Sequence, residues 1–439
     1  MKDIIAAIAT PRGKGGVAIV RISGEGSLEL AKGLFSPWEE PKPRYMYYGS
    51  LLCDGKGIDK GLAVYFEQGR SFTGEQTVEL HCHGGERVSA LVLEAAIKAG
   101  ARPAEAGEFT KRAFLNGMID LSGAEAVGDM IDAQSRAAVL LAGQSLSGGL
   151  GDMIRSFQSD ITDILASIEA SIDYPDEVSE QYTRASIINT LKQMELRLSE
   201  LIDSYQYGRV RKEGITVCIM GRPNAGKSSL LNRLCGRESA IVTDIEGTTR
   251  DLLHETVEIN GVAVHLYDTA GLRQSGDMIE QMGIERARKQ AQSADIVLYL
   301  IDGSNPPSVE DERELGWLRD SGINHCVVTN KSDIGNMGAQ GEISISALTG
   351  DGIDDIRALI LKCAGEATEG ITIASLRHIH ALERARASLR DALCAAEVMP
   401  LDCVSIDLHN GWEALGEITG QTVNEDIIDR IFAKFCVGK

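Results

Sequence analysis

The sequence predicts a multidomain chain: an α+β N-terminal domain, an all-α helical domain, and an α/β P-loop domain inserted into the helical one. Three observations predict it. Gly221-Arg222-Pro223-Asn224-Ala225-Gly226-Lys227-Ser228 is a complete G-x-x-x-x-G-K-[ST] loop, set between an apolar, β-branched run at 215–220 and a helically spaced run at 229–234. Long helical stretches flank that block, at 118–208 before it and at 375–398 and 411–436 after it. At 439 residues the chain is also too long for one ordinary core, so two or three domains are expected.

Residues 1–117 form the first expected domain. Strands are predicted at 17–22, 62–66 and 77–83, where alternation puts Val78, Leu80 and Cys82 on one face, and a helix at 86–98. His81 and His83 share the other face as a conceivable metal pair, but no third ligand is near, so both read as exposed strand residues. Residues 118–210 follow as the first part of the helical domain, with helices over 135–146 and 154–172. Arg209, Arg211 and Lys212 read as a solvated linker into the P-loop domain, residues 211–366. There, strands are predicted at 262–267, 296–301 and 326–329, with Asn260-Gly261 as a type I′ turn before the first. Residues 367–439 return to helix, so the inserted domain is expected to begin and end at neighbouring points.

Composition bounds the function. Hydrophobic content of 43% and charged content of 25% are those of a soluble globular protein. The apolar run at 4–9 is too short for a signal peptide and no stretch of ~20 apolar residues follows, so a cytosolic location without membrane contact is expected. Nine cysteines lack C-x-x-C pairs and read as reduced thiols. A net charge of −20 repels a polyanion, so any RNA contact must be local or shared with a partner.

The P-loop carries the first chemistry. Its glycines let the backbone wrap a polyphosphate against a helix N-terminus, Lys227 reaches the β/γ-phosphates, and the Ser228 hydroxyl can ligate Mg²⁺. Four further motifs decide which nucleotide. Asp268-Thr269-Ala270-Gly271 follows a strand, where an Asp holds Mg²⁺ through water and a Gly N–H meets the γ-phosphate. Asn330-Lys331-Ser332-Asp333 also ends a strand, and its Asp can accept two N–H bonds from guanine, a pattern adenine does not offer. Ser346-Ala347-Leu348 supplies a backbone N–H for the guanine O6, and Gly247-Thr248-Thr249-Arg250-Asp251 a hydroxyl for the Mg²⁺ shell. Each alone is a loop; the five in this order point to GTP.

Along its whole length the chain also resembles the MnmE (TrmE) family of tRNA-modification GTPases. The resemblance rests on Ala9-Thr10-Pro11-Arg12-Gly13-Lys14-Gly15-Gly16, Val20-Arg21-Ile22-Ser23-Gly24, Phe72-Thr73-Gly74-Glu75, His83-Gly84-Gly85, Gly107-Glu108-Phe109-Thr110, Ala113-Phe114-Leu115-Asn116 and Phe435-Cys436-Val437-Gly438-Lys439. It implies a folate-binding-like N-terminal domain and a Ras-like G domain. GTP would be held by Asn224, Ala225, Gly226, Lys227, Ser228 and Ser229, by Thr243, Asp244, Ile245, Glu246, Gly247, Thr248 and Thr249, and by the three remaining motifs. Leu272 stands where an ordinary small GTPase has the Gln that orients water, so hydrolysis needs another arrangement. The family uses K⁺, which falls here to Asn224, Thr243, Ile245 and Thr248, leaving Ser228 and Thr249 for Mg²⁺. Glu280 is the implied catalytic residue that orients water; Arg273 is either a charge stabiliser or a surface ion-pair residue.

The resemblance further implies a one-carbon donor, 5-formyl- or 5,10-methylene-tetrahydrofolate, bound by Arg21, Glu79 and Lys439. Met118 stands where relatives usually carry a basic residue, so that folate contact is expected to be apolar or weakened. Cys436 is either catalytic or a buried thiol on the apolar face of Ile431, Phe432 and Phe435. The implied partners are tRNA, the flavoprotein MnmG (GidA) and a second copy of the chain, paired through the N-terminal domain. The other reading is a regulatory GTPase switch for ribosome assembly, which would usually carry a basic RNA-binding module.

Overall fold

Alternating apolar residues build the N-terminal sheet of the computed structural model, which describes residues 3–11, 13–174, 176, 180–236, 254–268, 285, 287–335, 341–363, 365 and 370–439. Its elements are β1 (Ile5–Ile8), β2 (Val17–Ser23), α1 (Ser27–Lys32), β3 (Phe35–Ser36), β4 (Tyr47–Cys53), β5 (Lys56–Phe66), β6 (Thr77–His83), α2 (Glu86–Lys98), β7 (Arg102–Pro103) and α3 (Glu108–Leu115). The strands order as β3-β4-β5-β6-β2-β1-β7. One face buries Ala18, Val20, Ile22, Val78 and Leu80 in a core shared with Val92, Ala95 and Ala96 of α2. The opposite face buries Ile5 and Ala7 against Phe109 of α3. Both faces being covered, the period-2 pattern leaves only side chains such as Arg21 and Glu79, cross-strand neighbours in register, for the second side.

The helical elements are α4 (Leu121–Asp132), α5 (Arg136–Leu146), α6 (Gly149–Asp173), α7 (Glu180–Asp203), α8 (Tyr205–Glu213), α12 (Leu376–Val398), α13 (Leu401–Thr419) and α14 (Glu425–Phe432). In α6, Ile154, Phe157, Ile161, Ile164 and Ile168 recur at three- and four-residue spacing and are buried, the stripe expected of a packed amphipathic helix. The helical stretch expected over 411–436 is the end of α13 followed by α14. Gly420, at φ +90°, ends α13, and the Asn424 side chain caps α14 by accepting from Ile427 N–H.

The P-loop sheet contains β8 (Ile215–Gly221), β9 (His254–Ile259), β10 (Val262–Asp268), β11 (Ile296–Asp302), β12 (His325–Asn330) and β13 (Ile343–Ser344), in the order β13-β12-β11-β8-β10-β9. Its helices include α9 (Lys227–Cys235), α10 (Val309–Asp320) and α11 (Ile353–Lys362). β8 pairs in parallel with β10 and β11, so its near-continuous apolar run is buried on both faces. There burial, with Asp268 adding, pushes the Cys218 thiol up to about 12, the behaviour of an inert core cysteine. Asn260 (φ +49°) and Gly261 (φ +85°) join the β9–β10 hairpin, both left-handed as a type I′ turn requires.

The chain divides into two compact units: Met1–Ile131, Gln144–Glu195 and Ala381–Lys439 form one, and Asp132–Gly143 and Leu196–His380 the other. Within the second, Ile373 N–H donates to Ser204 Oγ at 3.1 Å, so the segments leading into and out of the P-loop sheet touch. Arg209, Arg211 and Lys212 are not a solvated linker. They lie in α8, where Arg209 Nη2 donates to Asp295 Oδ1 at 2.6 Å and Arg211 sits 4.5 Å over the Tyr207 ring. Asp295 also accepts Thr216 N–H at 2.8 Å, which ties α8 to the start of β8.

Candidate functional site

The phosphate loop is set by backbone that most residues resist. Gly221 (φ +139°), Asn224 (φ +64°) and Gly226 (φ +97°) take left-handed or related conformations, and at Gly221 a Cβ would lie 2.4 Å from Leu300 O on the neighbouring strand. Lys227, the first residue of α9, is buried and donates through Nζ to Gly221 O and Arg222 O, both at 2.8 Å, which arches the loop over its own cation. Ser228 Oγ donates to Asp268 Oδ2 at 3.1 Å, so the end of β10 and the start of α9 present two hard oxygens side by side.

The base side is assembled from β12 and the loop after β13. Asn330 Nδ2 donates to Ala225 O at 2.8 Å, and its Oδ1 accepts Ala347 N–H at 3.0 Å. Ser346 Oγ donates to Asp333 Oδ1 at 2.7 Å, holding that carboxylate in place. Lys331, left-handed at φ +66°, donates to Asp302 Oδ2 at 2.6 Å. Burial alone would push the Asp302 carboxyl up, but Lys331 and the Ser304 donors outweigh it and hold it below the usual carboxylate range. Leu348 is exposed and Ser229 lies beside the same loop, lining one cleft of about 360 Å³ with Ala347 and Arg233.

In the N-terminal unit, Arg21 Nε donates to Glu79 Oε1 at 2.9 Å, and its guanidinium lies 5.4 Å from the Phe72 ring centroid and 5.6 Å from that of Phe109. Burial would raise the Glu79 carboxyl, but the His81 ring, 3.6 Å from Oε2, and Arg21 lower it overall. The Phe72 loop is fixed from below: Glu75 accepts both Ser23 Oγ at 2.9 Å and the buried Arg112 at 3.1 Å. Met118 packs on this loop, its Cγ 3.0 Å from where a Cβ on Gly74 would stand. The Cys436–Lys439 segment docks on the same face. Gly107 N–H donates to Cys436 O at 3.3 Å, Phe109 N–H donates to Lys439 O at 3.1 Å, and Gly438 passes so near β1 that a Cβ would lie 2.2 Å from Ile8 O. Cys436 is exposed, which removes the buried-thiol reading: Phe435 still packs beside Phe432, but α14 has already ended at Phe432 and the Cys436 side chain is not carried onto that face.

Two family descriptions match, "GTP-binding protein TrmE N-terminus" over residues 4–118 and "MnmE helical domain" over residues 121–436. The tRNA modification GTPase MnmE of Clostridioides difficile is 40% identical over 457 residues, covering 100% of this chain and 99% of the relative. That of Aquifex aeolicus is 40% identical over 451 residues, and that of Thermotoga maritima 38% over 453, each pairing the two chains over 100% of their lengths. The chain belongs to the MnmE family of tRNA modification GTPases.

As an MnmE-family member it is a GTPase acting in tRNA modification, and no helix among the described residues is long and apolar enough to cross a membrane. Several expected MnmE site residues, Thr243 to Thr249, Thr269 to Gly271, Leu272, Arg273 and Glu280, lie outside the described residues. The structure brings Asn224 to Ser229 together with Asp268, Asn330, Asp333 and Ser346 to Leu348, and in the N-terminal unit it pairs Arg21 with Glu79 and seats the Lys439 backbone close by, both against Phe109. It does not make a metal pair of the histidines: His83 Nδ1 lies 2.8 Å from Asp59 Oδ1, His81 turns to Glu79, and no metal-holding cluster occurs among the described residues. His83 is exposed as expected but His81 is not: its ring is largely buried beside Glu79, because β6 is an inner strand between β5 and β2, and Arg112 and Arg233 are polar neighbours that no motif named. Strand alternation places His81 beside Glu79, and i,i+4 spacing on α3 places Arg112 beside Glu108; nothing in the sequence pairs Arg112 with Asp3 and Glu75 or Arg233 with Ala347, because those contacts span distant segments.

Proposed function

We propose that this chain is a potassium-activated GTP hydrolase that, with the flavin-dependent MnmG (GidA), installs a carboxymethylaminomethyl-type group at C5 of the tRNA wobble uridine. The observation that supports this reading is the docking of the Cys436–Lys439 backbone at the start of α3, where Phe109 N–H donates to Lys439 O and the Phe109 ring lies beside the Arg21 guanidinium that pairs with Glu79. An Arg–carboxylate pair suits a pterin, which offers both acceptors and N–H donors, and Phe72 supplies a ring beside it. 5-Formyl- or 5,10-methylene-tetrahydrofolate, when bound, would supply the one-carbon unit. Arg21 and Glu79 would orient the pterin, Lys439 would meet its anionic part, Met118 would give an apolar contact, and Cys436 would be free to act as acid or nucleophile.

At the nucleotide, Lys227 and the loop amides bind the phosphates, and Asp333 with the Ser346–Leu348 loop reads guanine. Ser228 and Asp268 fit Mg²⁺, being adjacent hard oxygens, with Thr249 as the further ligand; bound there the ion would neutralise phosphate charge. Asn224 offers an amide oxygen beside the phosphate loop for K⁺, joined by Thr243, Ile245 and Thr248, and Glu280 would orient the attacking water. Domains of 1–117, 118–210, 211–366 and 367–439 in the cytoplasm, and a homodimer through the first, complete the reading. Supporting the homodimer is a groove of about 930 Å³ in the N-terminal unit, where exposed Val17, Ala90 and Ile97 are flanked by Lys14, Arg87 and Glu94. The test is mass spectrometry of wobble uridine from cells lacking this protein. Loss of the C5 substituent is expected, and an unchanged nucleoside profile would reject the reading.

A further inference from the structure

The loop from Ser346 to Gly350 commits its amides unequally. Ser346 N–H donates to Asp351 O at 3.0 Å, Ala347 N–H to Asn330 Oδ1 at 3.0 Å, Thr349 N–H to Ser346 Oγ at 3.2 Å and Gly350 N–H to Ser346 O at 2.8 Å. Leu348 N–H donates to no described residue. It is therefore the one amide of the loop left for a ligand acceptor.

The peptide that carries this N–H is held from its other side. Arg233, in the last turn of α9, donates through Nε to Ala347 O at 3.2 Å and through Nη2 to Leu348 O. Ala347 O and Leu348 N–H belong to the same trans peptide plane and point in opposite directions, so fixing the carbonyl fixes the line of the N–H. The guanidinium fork grips two successive carbonyls, which prevents the plane from rotating, and a cation at the carbonyl polarises the amide and strengthens its N–H as a donor. The helix that starts with the phosphate-binding Lys227 thus also sets the base-facing amide.

We infer that Arg233 is a specificity-determining positioning residue: it aims Leu348 N–H at the 6-oxo group of guanine. The inference rests on reading Ser346–Leu348 as the guanine-facing loop. An ordinary surface arginine would merely buttress the loop, and a buttress would affect every purine nucleotide alike.

The test titrates the full-length protein with GDP, with 6-thio-GDP, whose sulfur is a poor acceptor at the position in question, and with IDP, which lacks the 2-amino group that Asp333 would read. Wild type is expected to prefer GDP over 6-thio-GDP. Arg233→Met keeps the packing stem and removes the donors, and should narrow that preference by roughly 3- to 10-fold, the worth of one hydrogen bond, while leaving the GDP-to-IDP ratio unchanged. Arg233→Lys, which can still reach one carbonyl, should restore part of the preference, and it gives the same comparison should the Met variant not fold. Equal weakening of all three nucleotides, or an unaltered GDP-to-6-thio-GDP ratio, would overturn the inference while leaving the guanine-loop reading intact. A wild type that does not distinguish GDP from 6-thio-GDP would overturn both.

Discussion

A Cβ on Gly226 would stand 2.0 Å from Nδ2 of Asn330. The Asn330 amide is pinned at both ends, by Ala225 O and by Ala347 N–H, so it has nowhere to retreat. One close approach therefore locks the phosphate loop to the strand end and the loop that face the base, and the two halves of the nucleotide site are positioned as one piece.

Gly226→Ala should consequently damage nucleotide binding far more than folding. The substitution combines a left-handed φ with a clash at a pinned amide, a local cost on the order of 1–3 kcal/mol. Relieving it by swinging Asn330 would sever both loops. GDP affinity measured by titration should fall at least tenfold while the circular-dichroism melt stays cooperative. Wild-type affinity would show that the loops are not coupled through this contact.

GTP turnover should be faster in K⁺ than in Na⁺, because the Asn224 amide oxygen and the loop from Thr243 to Thr248 would form a cage suited to the larger ion. Equal rates in the two salts would reject the potassium assignment. Glu280→Ala should lower kcat at least a hundredfold with GTP affinity nearly kept, since a water-positioning group acts in the transition state, not the ground state. Parallel loss of binding would argue for a structural role.

Glu79 supplies a pH dependence with a definite sign. Its carboxyl lies below the ordinary 4.5 despite burial, because His81 and Arg21 favour the charged form. As pH falls, the unfolded chain takes up this proton first, so the pair stabilises the fold above the ordinary value and the stabilisation is lost as pH drops through the lowered one. Glu79→Gln should cost about 1–3 kcal/mol at pH 7, and the gap in melting temperature to wild type should close below pH 4.5. A gap that stayed constant across that window would show that Glu79 is held by packing and not by charge.

The sequence made the nucleotide site legible because its motifs are local. Each of Gly221 to Ser228, Asn330 to Asp333 and Ser346 to Leu348 is a run of neighbours whose residue types are dictated by backbone conformation or by one ligand group. The helix at 86–98 and the strands at 77–83 and 262–267, the last one residue short of β10, were readable for the same reason, their periods being unbroken. What escaped was non-local. Only the Glu108 partner of Arg112 is local, at i−4 on α3; its other partners, Glu75 and Asp3, and the reach of Arg233 to Ala347 join distant segments, so neither role could follow from the residues beside it. Strand β4 is rich in tyrosine and leucine but lacks clean alternation, and its pairing with β5 shifts register between Leu51 and Leu52, so its strand character comes from its partner and not from its own period. The helical character of 411–436 was legible but its break was not: Gly420 is a left-handed cap packed against Phe114, a residue distant in sequence.

The final expectation separates the two chemistries of the chain. Gly438 sits at φ +99°, and a Cβ there would fall 2.2 Å from Ile8 O and 3.3 Å from Ala9 Cα, backbone atoms of β1 and its exit that cannot move aside. Gly438→Ala should therefore lift Cys436–Lys439 from the sheet, breaking the bonds from Gly107 N–H to Cys436 O and from Phe109 N–H to Lys439 O. Lys439 would leave the face that holds Arg21 and Glu79, and the affinity for 5-formyl-tetrahydrofolate should drop roughly tenfold or more, the worth of a charge-assisted contact. No residue of the nucleotide site changes, so kcat for GTP should stay within about twofold of wild type, the scale of a substitution that touches no transition-state contact. Isothermal titration with 5-formyl-tetrahydrofolate, run beside a GTPase assay on the same preparation, reads both. Undiminished folate binding would mean that the docked segment does not contribute to that site, and a matching fall in GTP turnover would mean that the substitution acts through the whole fold.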